Sequence, residues 1–438
     1  MMASLTLASR LIHKMPAFWS TPRKVLIGLS LAALTSACGA AAQYPKVSSG
    51  LGQGGGGLAC SIPAIHVLKS MQALSASDVW GVGLAVEGTA TAHPLIEHWD
   101  GHSWSRVVDS GLPYQPVSGA SLAAVSADAP TDVWAAGEID NGPSETLVEH
   151  WDGEAWHFMP TPKFNPPNAQ LGVMARFDGI LAFSPRDVWA AGTSWDELHG
   201  NIHRPLVEHW DGSIWHVITA PAPGANENEF SAIAGTSSSD IWAVGYAFSG
   251  PADDRPLVEH WDGQSWKVVA SALGAGNRAP IGYLTSLAIH GADDIWAVGS
   301  KGRPGDPQAA LAEHWNGHLW QMTQSPNVPA FGSGVSSHYL AAVSVSVSGD
   351  VWAVGMRGVQ PLTGPVQPVI EHWDGTEWRV VPSPSVGPAS GSLGAIVAAG
   401  PREAWATGGA VSKTCGAPAE LVMERWDGAS WQLIPVVL

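Results

Sequence analysis

Short apolar runs of about five residues alternate with clusters of Gly, Pro, Asp and Ser along most of this chain. Runs of that length, rich in Val, Ile and Trp and bounded by turn residues, predict β-strands. No stretch carries a sustained 3.6-residue apolar period with caps, so no helix is predicted. One unit shows the order: Phe230–Ala234, Ile241–Gly245, Leu257–Trp261 and Ser265–Val269 read as strands a to d. Between them stand a Ser-rich turn ending at Asp240, a variable Gly/Pro-rich loop, and the tight turn Asp262-Gly263-Gln264. The same order recurs seven times. Strand b carries Trp80, Trp134, Trp189, Trp242, Trp296, Trp352 and Trp405, spaced 54, 55, 53, 54, 56 and 53 residues apart. Strand c ends on Trp99, Trp151, Trp210, Trp261, Trp315, Trp373 and Trp426. Five positions later come Trp104, Trp156, Trp215, Trp266, Trp320, Trp378 and Trp431, so the phrase uses 21 of the 23 Trp.

A fixed period of this length signals a cyclic or stacked repeat. Four antiparallel strands per unit, seven times over, predict an all-β, seven-bladed β-propeller of four-stranded blades. The 438 residues would otherwise suggest two or three domains, but stacked repeats make residues 62–438 one. Blades stack face to face, and each Trp buries roughly 150–250 Å², so the indoles are expected to fill the gaps between blades. The Gly ending the strand-b phrase is expected to permit a turn, and the Asp-Gly after the strand-c Trp to form the c–d hairpin.

The phrase Ile241-Trp242-Ala243-Val244-Gly245, then Val258-Glu259-His260-Trp261-Asp262-Gly263 and Trp266, resembles a kelch repeat. It differs in having one Gly where kelch has two, and Trp where kelch usually has Tyr. The Trp-Asp-Gly-x-x-Trp turn also resembles a degenerate Asp-box of sialidase-type propellers, without the leading Ser-x-Asp. The resemblance implies a propeller over residues ~62–438 but no one activity, because both families hold enzymes and pure binding modules.

The N-terminus stands apart. Residues 1–37 carry Arg10, Lys14, Arg23 and Lys24, no acid, and an apolar run from Val25 to Ala37 that is too short to span a bilayer. This reads as an export signal. Leu34-Thr35-Ser36-Ala37-Cys38 resembles a bacterial lipoprotein signal, which implies lipidation of Cys38; cleavage near Ala37 or Ala42 with ordinary secretion is the alternative. Residues 38–61 then form a Gly-rich tether. Removing the signal takes the net charge from −17 to about −21, which disfavours nucleic acid as a partner. Membrane contact is expected through the lipid anchor only, on a monomer. Cys60 precedes strand a of repeat 1 and Cys415 lies in the b–c loop of repeat 7, on one face of adjacent blades, so a Cys60–Cys415 disulfide is expected.

Six repeats carry a Glu-His pair before the strand-c Trp, from Glu97-His98 to Glu371-His372, and the seventh has Glu424-Arg425. Neighbours on a strand point to opposite faces, so the two cannot converge on one metal. Structural hydrogen bonds between blades are the expected role of the His. The strand-b acids, Asp78 through Asp350 with Glu403 last, are expected to accept from turn amides. No Ca²⁺ loop, zinc pattern, phosphate-binding Gly loop or nucleophile elbow is present, so neither metal nor cofactor is expected. A galactose-oxidase-like copper site lacks its Cys–Tyr set, and a sialidase lacks its Arg triad and start motif.

Recognition is therefore expected on the face shared by the variable b–c loops and d-to-a connections. The richest loop holds Trp195, Asp196, Glu197, His199, His203 and Arg204, with Tyr246, Asp254 and Arg255 in the next. Trp195 is the one Trp after the signal that lies outside the repeated phrase. The expected function is an extracytoplasmic binding or scaffolding module for a glycan or a protein. The alternative is a carbohydrate-active hydrolase or lyase with a cleft on this face or in the central channel; no catalytic residue is assigned.

Overall fold

The computed structural model describes residues 64–436, apart from 88–90, 109–111, 113–118, 141–142, 165–171, 197, 199, 251–253, 275–280, 303–306, 327, 329–334, 360–365, 385–389, 401 and 412–418. The export segment, the tether, Cys38, Cys60, Cys415, Glu197 and His199 lie outside the described residues. Every regular element described is a strand. Repeat 4 runs Glu227–Ser237, Asp240–Phe248, Asp254–Trp261 and Trp266–Val268, paired antiparallel in sequence order. Strands a and b outrun the predicted runs because the polar segment Glu227 to Glu229 pairs with Tyr246 to Phe248 and continues the same ladder.

The strands form six hydrogen-bonded sheets, five of four strands and one of eight. Seven separate sheets were expected. Repeats 1 and 2 are merged by a single parallel pairing, Ala92 with Gly119. A similar approach recurs elsewhere as a lone backbone bond. His203 N donates to Asn226 O at 2.9 Å, His338 N to Gln308 O at 3.0 Å, and Gly391 N to Val366 O at 3.0 Å. The start of strand c thus meets the start of the next strand a, and at the first junction the contact becomes a bridge.

Among the described residues no sheet closes on itself, and consecutive repeats are joined by packing. Strand a of each repeat packs against strand a of the next, and Ser390–Gly400 of repeat 7 packs against Ile65–Ser75 of repeat 1. The strand-b Trp of one repeat meets the strand-c and strand-d Trp of the following one. Trp242 lies 4.8 Å from Trp315 and 5.7 Å from Trp320. Trp405 of repeat 7 makes the same contacts with Trp99 and Trp104 of repeat 1, at 4.8 and 5.3 Å. The order of packing returns to its start, as in a β-propeller. Strand-b and strand-d indoles are buried as expected, whereas the strand-c indoles other than Trp99 are only half-buried; in Trp210, Trp261 and Trp315 the Nε1 donates to a carbonyl of the a–b turn.

The strand-b Gly does not end a strand or make a turn. In Gly83, Gly137, Gly192, Gly245, Gly299, Gly355 and Gly408 an added Cβ would sit 1.8–2.1 Å from a carbonyl oxygen of strand a. There strand a carries a bulge that skips one residue, Lys69, Asp178 and Ser231 among them. The bulge turns the carbonyl toward strand b, and only Gly leaves room for it. The c–d turns do follow expectation: Gly101, Gly153, Gly212 and Gly263 have φ of 88–97°, and the preceding Asp accepts two turn amides.

Two expected roles change. The strand-c His bonds within its own sheet, not between blades. His98 Nε2 lies 2.8 Å from Asp78 Oδ1, and its ring stacks on Trp80 at 4.2 Å. Four further repeats carry this His–Asp bond at 2.6–2.8 Å, and in repeat 6 the distance is 3.5 Å. The strand-b acids therefore serve the His and, in repeats 2, 3 and 5, their own Trp Nε1, rather than turn amides. Repeat 7 exchanges both partners at once: Arg425 donates to Glu403 at 2.6 and 2.9 Å. Arg425 also covers Trp405 and Trp99 at 5.2 and 5.7 Å, across the closing junction. Arg425→Ala is expected to cost about 1–2 kcal/mol in urea denaturation. The double change Glu403→Asp, Arg425→His, which restores the pair of the other repeats, should recover most of it. An unchanged midpoint in the single variant would remove Arg425 from the closure.

In repeats 5, 6 and 7 the Glu of the pair makes the contact between repeats instead. Glu313 accepts from Ser271 Oγ at 2.7 Å and from the amides of Ala272 and Leu273 at 3.0 and 3.1 Å, all in repeat 4. Glu371 and Glu424 accept from Ser325 and Ser383 of the preceding repeats, at 2.9 and 2.8 Å.

Candidate binding site

The loop-bearing face is uneven, and its charged residues gather where repeat 3 meets repeat 4. Strand a of repeat 3 (Val173–Ser184) supplies Arg176, just before the bulge. Strand b (Asp187–Asp196) carries Trp195 one residue before its end, and strand c (His203–Trp210) begins with His203. Repeat 4 supplies Glu227 and Glu229 from the start of strand a and Tyr246 from strand b.

These side chains form one network. Arg176 donates from Nε to Asp178 at 3.1 Å and from Nη2 to Glu229 Oε2 at 2.9 Å. His203 Nδ1 lies 2.7 Å from Glu229 Oε1. The Tyr246 hydroxyl lies 2.8 Å from both Glu227 Oε2 and Glu229 Oε1. Burial opposes the charge on Arg176, but Asp178, Glu229 and Glu138 more than offset it and hold the guanidinium above its ordinary pKa. Nearby, Lys69 at the repeat-1 bulge donates to Ser121 Oγ at 3.1 Å. Burial pushes its ammonium down, against the pull of Glu138 and Asp178.

Of the residues expected at this site, Trp195 is half-buried, with its indole stacked on His203 at 5.4 Å and 18° and the Arg176 guanidinium 5.6 Å from the ring centre. Asp196 accepts from the Leu198 amide at 2.9 Å, and Asn201 turns the loop with φ 54°. Arg204 is exposed and reaches the His203 carbonyl at 3.4 Å. His203, Tyr246 and Asp254 are buried, and Arg255 is half-buried. The structure thus brings His203 and Tyr246 into one network beneath Trp195.

Four of its members, Arg176, Asp178, Glu227 and Glu229, are not singled out from the sequence. The signal was there. At the position of Glu229 the other repeats have Val67, Ser121, Arg176, Tyr283, Tyr339 and Ser392, and a Glu-x-Glu on an inner strand has no packing reason. His203, Glu227 and Glu229 each offer a ligand atom within 4.8 Å of the others, the one such group among the described residues.

No family model matches the chain. No curated protein matches it either. Solved structures resemble it at the level of fold. One is YCF48 bound to D1 peptide, with 14% identity over 74% of this chain and 86% of that one, and a TM-score of 0.43. Another is an ulvan lyase of polysaccharide lyase family PL25, with 10% identity over 71% and 82% and a TM-score of 0.48. A third is the six-bladed β-propeller lectin of Aleuria aurantia, with 13% identity over 73% and 95% and a TM-score of 0.41. The chain is similar to these β-propellers in architecture, and at such identities the similarity extends no further.

Proposed function

We propose that this chain is a closed seven-bladed propeller, exported and held by a lipid on Cys38, that binds a glycan or an extracytoplasmic protein through the loop face of repeats 3 and 4. The contact of Trp405 with Trp99 and Trp104 supports closure, since it repeats between the last and first units the packing found between consecutive ones. One observation carries the binding reading: the break in repeat symmetry. Residues the fold requires recur in every repeat, as the Trp, Gly and Glu do. The Arg176–Glu229–His203–Tyr246 network occurs at one junction and stacks a half-exposed indole above itself. A rigid, half-exposed indole stacked on an imidazole suits a sugar ring or a protein hot spot.

Trp195→Ala tests this on a glycan array and against candidate envelope proteins by surface plasmon resonance. Affinity is expected to fall at least about 10-fold, with the melting temperature within about 2 °C of the parent. Full affinity in a stable variant would move recognition elsewhere.

A second reading, a carbohydrate-active enzyme, is favoured by the meeting of one Arg with three acids, a His and a Tyr at one junction. Release of new reducing ends or unsaturated products from a polysaccharide, lost in Tyr246→Phe, would establish it over binding alone.

A further inference from the structure

The structure assigns a divalent-cation site, of the kind that takes Zn²⁺, to His203, Glu227 and Glu229. Three potential ligand atoms, one from an imidazole and two from carboxylates, converge within 4.8 Å at a junction of two repeats. All three residues are nearly inaccessible, at 4%, 4% and 1% exposure. Their backbones lie on paired strands, so the ligands are held in place rather than gathered from a loop.

Proton bookkeeping supplies the second argument. The Tyr246 hydroxyl lies 2.8 Å from an oxygen of each Glu, yet it has one proton to donate. It can satisfy one carboxylate; the other then faces an oxygen, unless a further proton or a cation lies between them. The Arg176 guanidinium on Glu229 is shared with Asp178, so two carboxylates buried this close still favour a further positive charge between them. A metal ion supplies it, taking His203 Nδ1 and one oxygen from each Glu. The imidazole proton shifts to Nε2, and any proton shared by the carboxylates is released to solvent.

The donor set selects the metal. One imidazole nitrogen and two carboxylate oxygens suit Zn²⁺ in a four-coordinate site completed by water or the Tyr246 oxygen. Ca²⁺ takes six to eight oxygens and Mg²⁺ holds its waters, so neither is served here. A general packing need does not explain the group, because it is the one example among the described residues.

The test uses the mature protein, stripped with chelator and dialysed, with ZnCl₂ alone as the probe. Equilibrium dialysis with metal analysis should show one tight equivalent, unmatched by Ca²⁺ or Mg²⁺ at the same concentration. Glu227→Gln should weaken uptake by about 100-fold. His216→Asn, which removes an exposed His paired with Asp211, should leave it unchanged. Hydrogen exchange on the unaltered protein covers the case in which Glu227→Gln does not fold. Zn²⁺ should then raise protection in segments 203–210 and 226–231 and not in other repeats. Absence of a stoichiometric equivalent, uptake indifferent to Glu227→Gln, or protection elsewhere would each overturn the assignment and leave a proton-sharing network. Glycan or protein binding is read separately, so either result stands apart from the recognition proposed above.

Discussion

Trp405→Ala is expected to be among the most destabilising single substitutions in this protein, at about 3–5 kcal/mol. The indole is fully buried against Trp99 and Trp104, with Arg425 over its ring. Its loss opens a cavity at the junction between first and last repeats. Trp242→Ala removes an equivalent indole between repeats 4 and 5, where the chain itself keeps the neighbours together. Both variants should melt lower. Only Trp405→Ala should raise deuterium uptake in both repeats 1 and 7, because packing is what joins them among the described residues. Equal exchange patterns in the two variants would count against closure by packing.

The second large effect is a loss of stability as pH rises. Burial raises the carboxyls of Glu208, Glu259 and Glu371 to about 8, and those of Glu97 and Glu424 to about 7. Glu97, Glu208 and Glu259 have no protein donor on either oxygen. Between pH 4.5 and 8 the folded protein holds protons that the unfolded chain has released, so stability falls across that interval and levels off above it. The exposed turn acids Asp152, Asp211 and Asp374 are depressed to about 2 by amide and side-chain donors. Their contribution is fully present above about pH 4 and does not bend the profile in this window. The melting temperature is expected to drop by about 5–10 °C from pH 5.5 to 8.5. Glu208→Gln and Glu259→Gln together should flatten that slope and raise the pH 8.5 value. Glu313→Gln should lower stability at both pH values, because Glu313 accepts from two amides and a hydroxyl that an amide nitrogen would oppose. A melting temperature that climbs toward pH 8.5 would show these carboxyls ionised in the folded state.

Much of the fold is legible in the residues. The Trp period determines seven units, alternation and turn residues determine four strands in each, and Asp-Gly determines the c–d hairpins. Even the Arg425–Glu403 exchange is visible as a paired departure from the repeat, although its meaning is not. Local sequence cannot say which neighbour a side chain meets. His98 and Glu97 are adjacent in the chain, yet the first bonds within its sheet, whereas buried Glu313 shows the second position reaching the preceding repeat. The strand-b Gly looks like a turn signal from sequence and proves to face a bulge, because the crowding carbonyl belongs to another strand.

The candidate site divides the same way. Trp195, His203 and Tyr246 stand out in sequence because they break the repeat, and so the place was readable. Glu229 stands 53 residues from Arg176 and 26 from His203, and only the stacking of one sheet on the next brings them together. The sequence by itself determined the repeat, the strand order and the turns, since these rest on local periodicity and backbone preference. Tertiary structure alone decided the merging of the first two sheets, the burial of the Glu set and the meeting of Arg176 and His203 with Glu229 at one junction. Those depend on distances between repeats, which no local pattern encodes.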